Sequence, residues 1–498
     1  MTVPDREPDT PATEVASPGT AASRPGTPAA GTTDIETLVA AIRSAPRGPR
    51  IAAVFDFSAV ADDRAVPRLR RSRDGAVAAL LLDGIRRDGD YGRFLHGAET
   101  LLAGRPEEEL DAVGRRLFRR TYELLYPETW RLIREHEAAG HTVLLVGSPT
   151  KFQLAPVAAA LGISRTLHTR MEVADGRLTG RPAGRVLIRQ GKAEAVAEFG
   201  AEHGIDLDRS FVYTGSATDL PMLSLAGQPV VVAPDPELAA AATEHGWPRP
   251  VVRPRTAPRP AAYVRTLLGF AGLLAGALFG VLVKSYTRRR RPMADALMKY
   301  GTAATLRLCG VRLRVVGEQY ARSPRPAVFV FNHQSQFDVI IVPAVLGGGV
   351  TAVAKKELTK NPLFGPLMRF VEVTFIDRAD TAGARKSLIP VVDTLREGLS
   401  IAIAPEGTRS YTPQVGPFKK GAFHIARQAG VPVIPVVIRN AGDIVRRNSV
   451  IARPGTVEVA ILPPIDVRDW DPADMGDEVA AVRQRFLDTL RDWPCRPV

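Results

Sequence analysis

The chain has 498 residues, 45% of them hydrophobic, and a formal net charge of +13 at pH 7. This length favours two or more domains with ordinary globular cores. The charge favours an anionic partner such as a nucleic acid, a membrane surface or a phosphorylated substrate. Only two cysteines are present, Cys309 and Cys495. This low number argues against a disulfide scaffold. The first residues contain no apolar segment of the kind found in signal peptides, so none is expected.

The first half of the sequence predicts a tail followed by an α/β domain. Residues 1–36 are rich in Pro, Thr, Ala and Gly, which predicts a disordered tail. Over 49–245, strand-like runs such as IAAVFDF and HTVLLVGS alternate with helical stretches, which predicts a largely parallel sheet. A charged helical insert is expected at about 65–140, and a Pro/Arg-rich linker at 246–262.

An apolar segment follows the linker. Residues 266–283 carry no charge, and basic residues flank both ends. A stripe of glycines allows close helix packing in lipid: Gly272, Gly276 and Gly280. Because positive residues mark the cytoplasmic side, we expect 264–300 to be a membrane-associated helical segment at the cytoplasmic face. It would dip into one leaflet or form a helical hairpin that continues toward residue 310. A buried core helix is the alternative.

Residues 301–498 again alternate strands and helices, which predicts a second α/β domain. In this part, FNHQSQFD (331–338) lies between two apolar runs. Ser335 and Asp338 have the spacing of a helix N-cap, so His333 is expected in a strand-to-helix loop. There, Asp338 can bond one ring nitrogen and leave the other free as a base. A structural helix start with an incidental histidine is the alternative.

Later segments also place polar residues directly after strands. VTFIDR ends with Arg378, and IAIAPEGTRS contains Glu406, Gly407, Thr408 and Arg409. The ends of parallel strands meet at one edge of a sheet, where ligands bind. Arginines there would offer forked donors to a phosphate, and Gly407 would allow close backbone approach. Each arginine taken alone is better explained as a solvated surface charge.

Taken in order, NHQSQFD, FIDR, APEGTRS and VPVIPV resemble the four blocks of the glycerolipid acyltransferase family, in particular the 1-acylglycerol-3-phosphate acyltransferases. The resemblance covers about 300–465. It implies that His333, oriented by Asp338, deprotonates the free hydroxyl of lysophosphatidic acid, which attacks an acyl-CoA or acyl-ACP thioester without a metal or cofactor. It also implies a phosphate-binding group: Arg378, Glu406, Gly407, Thr408 and Arg409. As a carboxylate, Glu406 is expected to orient the arginines or the loop.

The front domain resembles haloacid dehalogenase-like phosphatases related to phosphoserine phosphatase. The similarity lies in VFDFSAV, VGSPTKF, GKAEAV and YTGSATDLPML, and the insert stands where that subgroup carries its cap. It implies that Asp56 is a nucleophile and that Ser148 and Lys192 bind phosphate.

Two positions depart from the phosphatase pattern. Ser58 replaces the aspartate that acts as acid and base, and Gly215 replaces an aspartate that binds Mg²⁺. A serine hydroxyl is a poor proton shuttle, and Mg²⁺ prefers carboxylate oxygens. Asp56 and Asp219 remain as ligands for a weak Mg²⁺ site. We therefore expect a front domain without phosphatase activity.

The sequence thus predicts a membrane-bound lysophosphatidic acid acyltransferase of phospholipid synthesis that binds anionic lipids. Two alternatives stay open: a bifunctional phosphatase and acyltransferase, and a non-catalytic phosphate-binding membrane adaptor. A nucleic-acid partner is not expected, because no basic stripe is interleaved with aromatic residues. Acyl-chain length, donor carrier, headgroup and oligomeric state are left open.

Overall fold

A computed structural model describes residues 32–66, 75–86, 91–252, 258–355, 368–376, 389–447, 449–471 and 474–494. Most of the predicted tail at 1–36 lies outside these residues. Helices and strands alternate along the chain. The helices are α1 (Ile35–Ser44), α2 (Phe57–Val60), α3 (Ala76–Gly84), α4 (Tyr91–Leu101), α5 (Glu107–Thr121), α6 (Pro127–Ala138), α7 (Lys151–Leu161), α8 (Gln190–His203), α9 (Leu220–Leu223), α10 (Pro236–Glu244), α11 (Pro260–Lys284), α12 (Arg290–Cys309), α13 (Glu318–Arg322), α14 (Asp338–Leu346), α15 (Ile389–Arg396), α16 (Gly421–Ala429), α17 (Ala441–Ile444) and α18 (Met475–Arg491).

The strands are β1 (Ala52–Asp56), β2 (Thr142–Thr150), β3 (Arg165–Thr169), β4 (Met171–Ala174), β5 (Arg177–Pro182), β6 (Phe211–Thr214), β7 (Gln228–Val231), β8 (Val311–Val316), β9 (Val328–Phe331), β10 (Val350–Lys355), β11 (Thr374–Ile376), β12 (Ser400–Ile403), β13 (Val433–Arg439) and β14 (Gly455–Ile461). The predicted α/β alternation in both halves of the chain is therefore confirmed.

The first of two units contains Met1–Asp62, Tyr126–Val146 and Leu187–Arg253. Its strands lie in the order β2-β1-β6-β7 and are all parallel. The central strand β1 is buried along its whole length, as expected for a short apolar run with neighbours on both sides. Asp56 ends this strand, so the carboxylate stands at the carboxyl edge of the sheet.

A chain of buried hydrogen bonds crosses the first unit. His141 Nε2 lies 2.9 Å from the Pro46 carbonyl oxygen and must donate to it. With both histidines neutral, His141 Nδ1 accepts from His136 Nδ1 at 2.8 Å, and His136 Nε2 accepts from the Tyr213 hydroxyl at 2.7 Å. Burial lowers the pKa of both His136 and His141, which favours this neutral pattern. His136 lies on α6, which falls within the predicted insert at 65–140 but belongs to the first unit.

The second unit contains Asp63–Leu125, Gly147–Val186 and Pro254–Val498. Its large sheet has the order β11-β10-β12-β9-β13-β14-β8. The strands from β11 to β13 are parallel, whereas β14 is antiparallel to β13 and pairs in parallel with β8. The same unit holds the helices of the insert, α3 to α5, and a two-stranded sheet of β4 and β5.

Alternate residues of the central strands of the large sheet enter two different cores. Phe329 and Ile434 point to one face, and Val328 and Val433 point to the other. Side chains of a strand alternate between faces, so both faces of this sheet are covered, as is usual for parallel strands. The loops at the strand ends are thus the part of the sheet left for ligands.

Helices α11 and α12 form a hairpin, which is one of the two arrangements predicted for the apolar segment. A 3₁₀ turn at Ser285–Thr287 joins them, and Arg288 follows in the left-handed conformation with φ 50°. Large apolar side chains of α11 remain exposed: Leu267, Leu274, Leu278, Phe279 and Leu282. Among the described residues, one helical segment, Pro260–Thr287, is long and apolar enough to cross a membrane.

The glycine stripe of α11 faces α12. A Cβ atom on Gly276 would lie 2.5 Å from the Tyr300 carbonyl oxygen, and one on Gly280 would lie 2.5 Å from the Ala296 carbonyl oxygen. Any larger side chain would therefore have to move the backbone of α12. The predicted close packing at Gly276 and Gly280 is confirmed.

The Gly276→Leu substitution should separate the two helices. We expect a loss of about 1–3 kcal/mol, the usual cost of overpacking a tight contact. Thermal unfolding in detergent would measure it. The matched control is Ala275→Leu, because residue 275 is exposed. Equal melting temperatures for the two variants would contradict this packing.

The neutral histidine chain makes the first unit sensitive to acid. Burial, followed by the neighbouring His141, holds the pKa of His136 well below its ordinary value. The unfolded chain then binds a proton that the folded unit does not, so stability is complete above about pH 6.5 and falls by about 1.4 kcal/mol per pH unit below it.

Hydrogen exchange of the β6 amides between pH 5 and 7.5, corrected for intrinsic rates, would measure this dependence. In His136→Gln, the free energy of unfolding should depend less on pH, by about 1.4 kcal/mol per pH unit, because one proton fewer is bound on unfolding. The exposed His203 supplies the control, His203→Gln. Parallel pH profiles for wild type and His136→Gln would show that His136 does not carry the effect.

Candidate functional site

His333 and Asp338 meet across the loop that joins β9 to α14. His333 Nδ1 lies 2.8 Å from Asp338 Oδ2, which also accepts from the backbone N–H groups of Gln334 and Ser335, each at 3.0 Å. The Asp338 side chain is fully buried, whereas that of His333 is 25% exposed. Since Oδ2 can only accept, Nδ1 carries the proton, and Nε2 is left with its lone pair.

The loop is anchored at both ends. Asn332, which is buried, bonds both backbone groups of Ile438, accepting from its N–H at 2.7 Å and donating to its carbonyl at 2.8 Å. The Ser335 hydroxyl donates to the Val445 carbonyl at 2.7 Å and accepts from the Phe337 N–H. Ser335 is therefore not the N-cap of α14 as predicted, because the helix begins three residues later, at Asp338. Asp338 does lie in the first turn.

Glu406 connects the β12 loop to the histidine loop. Its Oε1 accepts from the His333 N–H, and its Oε2 accepts from the Gly416 N–H, both at 2.8 Å. Burial raises the pKa of the Glu406 carboxyl, although these two hydrogen bonds oppose the shift. The Ser410 N–H donates to the His333 carbonyl at 3.0 Å. Glu406 thus orients backbone rather than arginines.

Gly407 meets two constraints in this loop. Its φ is +74°, and a Cβ atom would lie 3.0 Å from Lys419 Nζ. Lys419 therefore lies against the loop, and its N–H donates to the Pro405 carbonyl. Thr408 is exposed. The Lys420 side chain lies apart from the loop, beside Gly476.

Arg409 is half-buried, and its Nη1 donates to the Arg447 carbonyl at 2.9 Å. Arg378, the other arginine of the expected phosphate group, lies outside the described residues. Sequence reasoning did not identify Arg447 or Tyr411, which lie beside Arg409. Neither belongs to the four blocks, and only the doubled arginine of VRRN could have indicated the first.

The first unit brings together Asp56, Lys192 and Asp219 from three different segments. Lys192 Nζ lies 2.6 Å from Asp56 Oδ1 and 2.9 Å from Asp219 Oδ1. All three side chains are buried. Burial alone would raise the pKa of Asp56, but Lys192 and Ser58 bring it below its ordinary value. Burial and the charge of Asp56 raise the pKa of Asp219.

The remaining carboxylate oxygens in this cluster also have donors from the chain. Asp56 Oδ2 accepts from the Ser58 N–H and hydroxyl, and Asp219 Oδ2 accepts from the Thr214 hydroxyl. The Gly215 N–H donates to the Ser58 hydroxyl at 3.0 Å. Ser58 and Gly215 therefore bond each other where the phosphatase pattern has two carboxylates. This donor set is a poor fit for Mg²⁺, which prefers several open carboxylate oxygens.

Ser148 lies on β2 in a segment that belongs to the second unit. Its carbonyl oxygen accepts from the Tyr91 hydroxyl of the insert at 2.6 Å. No group of three or more His, Cys, Asp or Glu side chains suited to a metal ion occurs in the described ranges.

The large sheet thus carries the partly exposed His333 ring, the buried Asp338 and the Arg409 loop at one edge. Residues 312–439 match the acyltransferase family model, and residues 37–224 match that of the haloacid dehalogenase-like hydrolases. Two parts of the chain thus match these two families in the predicted order, and both predicted resemblances are confirmed.

The similar curated proteins are named as one specific enzyme. The 1-acyl-sn-glycerol-3-phosphate acyltransferase of Saccharomyces cerevisiae is 33% identical over 195 residues, which cover 37% of this chain and 62% of that protein. The enzyme of Cocos nucifera, with the same name, is 32% identical, with 37% and 59% covered. The alpha enzyme of Homo sapiens is 33% identical, with 37% and 66% covered. The chain thus spans roughly 60% of the length of these relatives.

Among solved structures, the chain is similar to the 1-acyl-sn-glycerophosphate acyltransferase PlsC from Thermotoga maritima. The TM-score is 0.39 at 23% identity, with 46% of this chain and 97% of that chain covered. An apo phosphoserine phosphatase gives a TM-score of 0.27 at 17% identity, with 41% and 94% covered. Likenesses at this level carry no argument about function.

The Glu406→Gln substitution should loosen the histidine loop. An amide oxygen can accept only one of the two backbone N–H groups, and the amide nitrogen would face the other donor. Hydrogen exchange of peptides covering His333 and Gly416 should accelerate by at least about tenfold at one of them. The exposed Glu397 supplies the control, Glu397→Gln. Unchanged protection in both peptides would mean that Glu406 does not hold the loop.

Proposed function

We propose that the protein is a membrane-bound acyltransferase that moves a fatty acyl group from a thioester to the free hydroxyl of 1-acylglycerol-3-phosphate and forms phosphatidic acid. The observation that carries this proposal is the His333–Asp338 pair, in which Nδ1 is held at 2.8 Å and Nε2 is free to accept a proton. The pair lies in the region that matches the acyltransferase model and the curated 1-acyl-sn-glycerol-3-phosphate acyltransferases.

The proposed reaction needs no enzyme nucleophile. His333 Nε2 takes the proton of the acceptor hydroxyl as its oxygen attacks the thioester carbonyl carbon. The tetrahedral intermediate then collapses, the carbon–sulfur bond breaks, and the thiolate leaves with the proton from the imidazolium. Asp338 fixes the tautomer and stabilises the imidazolium. The products are phosphatidic acid and free coenzyme A or acyl carrier protein, and no cofactor takes part.

The acceptor's phosphate is proposed to bind at the β12 loop. Arg409 offers guanidinium donors there, Gly407 allows the backbone to approach closely, and Thr408 is exposed beside them. Lys419 adds a positive charge at the same loop. Glu406 stabilises the loop by accepting hydrogen bonds from the His333 and Gly416 N–H groups. Arg378 completes the proposed group by family resemblance.

The α11–α12 hairpin is proposed to hold the enzyme at the cytoplasmic face of a membrane. The exposed apolar side chains of α11 would be stabilised in the acyl-chain region. Lys284, Arg288 and Arg289 lie at the turn between the helices, where they would contact anionic headgroups. Such an arrangement brings the site to amphiphilic substrates that reside in the bilayer.

The front unit is proposed to lack phosphatase activity. Ser58 holds the acid/base position, and Lys192 with Ser58 and Thr214 occupies the carboxylate oxygens of Asp56 and Asp219. The buried ion cluster would then be retained for stability, because removing one partner leaves an uncompensated buried charge.

The test is an acyl-transfer assay in detergent with an oleoyl thioester and lysophosphatidic acid. His333→Ala should abolish phosphatidic acid formation, and Asp338→Asn should lower kcat by about a thousandfold or more, because an amide leaves the imidazole in the wrong tautomer. Circular dichroism would check that both variants fold. Normal turnover in folded His333→Ala would contradict the base assignment.

Phosphate release is followed in the same samples, with Mg²⁺ added and with Asp56→Asn in parallel. Release that depends on Mg²⁺ and disappears in Asp56→Asn would support the bifunctional alternative. No product from lysophosphatidic acid or from other lysophospholipids, with either thioester carrier, would support the adaptor alternative.

A further inference from the structure

Two arginines of the second unit, Arg409 and Arg447, lie in segments that are hydrogen-bonded to the His333 loop. Arg409 Nη1 bonds the Arg447 carbonyl, and the Arg447 guanidinium carbon lies 3.6 Å from the centre of the Tyr411 ring. Burial, and then the neighbouring arginine Arg409, keep the pKa of Arg447 below its usual value, although Tyr411 opposes the shift. Within the described parts of the chain, neither guanidinium makes an ion pair.

Two half-buried like charges repel each other and cost free energy unless an anion lies between them. Forked guanidinium donors are suited to bidentate binding of a phosphate. The pair is therefore better suited to a bound phosphate than to an empty surface.

This pair is tied to the catalytic loop from both sides. The Ser335 hydroxyl bonds the Val445 carbonyl, two residues before Arg447. The Ser410 N–H, one residue after Arg409, bonds the His333 carbonyl. A phosphate held by the two arginines would therefore lie close to the imidazole, as an acceptor with its hydroxyl at Nε2 requires.

The adjacent Arg446 differs from Arg447, because its guanidinium is paired with a carboxylate. Its side chain is 9% exposed, and its Nη1 lies 3.2 Å from Glu123 Oε2, just after α5. The charge of Arg446 is paired with the insert, whereas the Arg447 guanidinium stacks on a ring and makes no hydrogen bond to the residues that the structure describes.

The helical insert also supports the ring under Arg447. Tyr411 packs against Phe118 at 5.2 Å and Tyr122 at 5.1 Å between ring centres. The next residue, Thr412, donates its hydroxyl to the Ala160 carbonyl at 2.7 Å. The insert and α7 thus hold the segment that follows Arg409.

We propose that Arg409 and Arg447 together form the site for the phosphate of the lysophospholipid acceptor, and that the helical insert positions Arg447 through Tyr411. This inference rests on the proposed acyltransferase function and extends it to a residue outside the four sequence blocks. It also gives the helical insert, which stands where the phosphatase subgroup carries its cap, a role in the acceptor site. This role needs no phosphatase chemistry.

The first experiment compares Arg447→Gln with wild type in the acyl-transfer assay. The KM for lysophosphatidic acid should rise by about tenfold to a hundredfold, the effect of losing charge-assisted hydrogen bonds. The kcat and the KM for the acyl donor should change little. The matched control is Arg468→Gln, which removes an exposed arginine paired with Asp466 and should leave all constants unchanged.

The positioning role is tested at Tyr411 and Phe118. Tyr411→Ala and Phe118→Ala should each raise the KM for lysophosphatidic acid severalfold, while Tyr411→Phe, which keeps the ring, should restore the wild-type value. A merely structural role would lower the melting temperature and the amount of active enzyme without this split between KM and kcat.

Three results would overturn the inference. One is an unchanged KM for lysophosphatidic acid in Arg447→Gln. Another is a rise in the KM for acyl-CoA alone, which would assign the arginine to the donor's phosphates; acyl carrier protein as donor separates the two. The third is a failure of Tyr411→Phe to differ from Tyr411→Ala.

A binding measurement separates this inference from the proposed function. If wild type forms no phosphatidic acid, the proposed function fails, and glycerol 3-phosphate binding by calorimetry still tests the site. Weaker binding to Arg447→Gln than to wild type and Arg468→Gln would support the two-arginine site. Equal binding, or none to wild type, would overturn it.

Discussion

Asp338 Oδ2 accepts hydrogen bonds from the His333 ring and from two successive backbone N–H groups. These three donors hold the buried carboxylate, and they fix at the same time the imidazole tautomer and the path of the loop. Because α14 begins at Asp338, the helix carries this carboxylate in its first turn, where a negative charge is stabilised by the helix dipole. The orientation of Nε2, and any base chemistry there, follow from this arrangement.

The surrounding loops depend on the same constraint. Glu406 bonds the His333 N–H, Ser410 bonds its carbonyl, and Ser335 bonds Val445. Three loops that are far apart in the sequence are thereby joined at one edge of the large sheet. Preorganisation of this kind is what a proton-transfer site requires, because small displacements of the base reduce the rate strongly.

The first unit keeps a buried ion cluster at the carboxyl edge of its sheet. Asp56, Lys192 and Asp219 still form a buried ion cluster, and the loss of any one would leave an unpaired charge in the interior. Ser58 and Gly215 fill the positions of the missing acids by bonding each other. The carboxylate oxygens of Asp56 and Asp219 thus have hydrogen-bond donors from the chain itself.

The alternation of strands and helices, the apolar hairpin and the pairing of His333 with Asp338 followed from the sequence, because periodicity and motif spacing are local properties. The start of α14 at Asp338, the two backbone bonds of Glu406 and the place of Arg447 did not. Arg447 reaches Arg409 only because β12 and β13 both flank β9, and Tyr411 meets Phe118 across nearly three hundred residues of chain. Such contacts depend on how the sheet is ordered and on which side chains the packed elements bring together, and no local pattern encodes either.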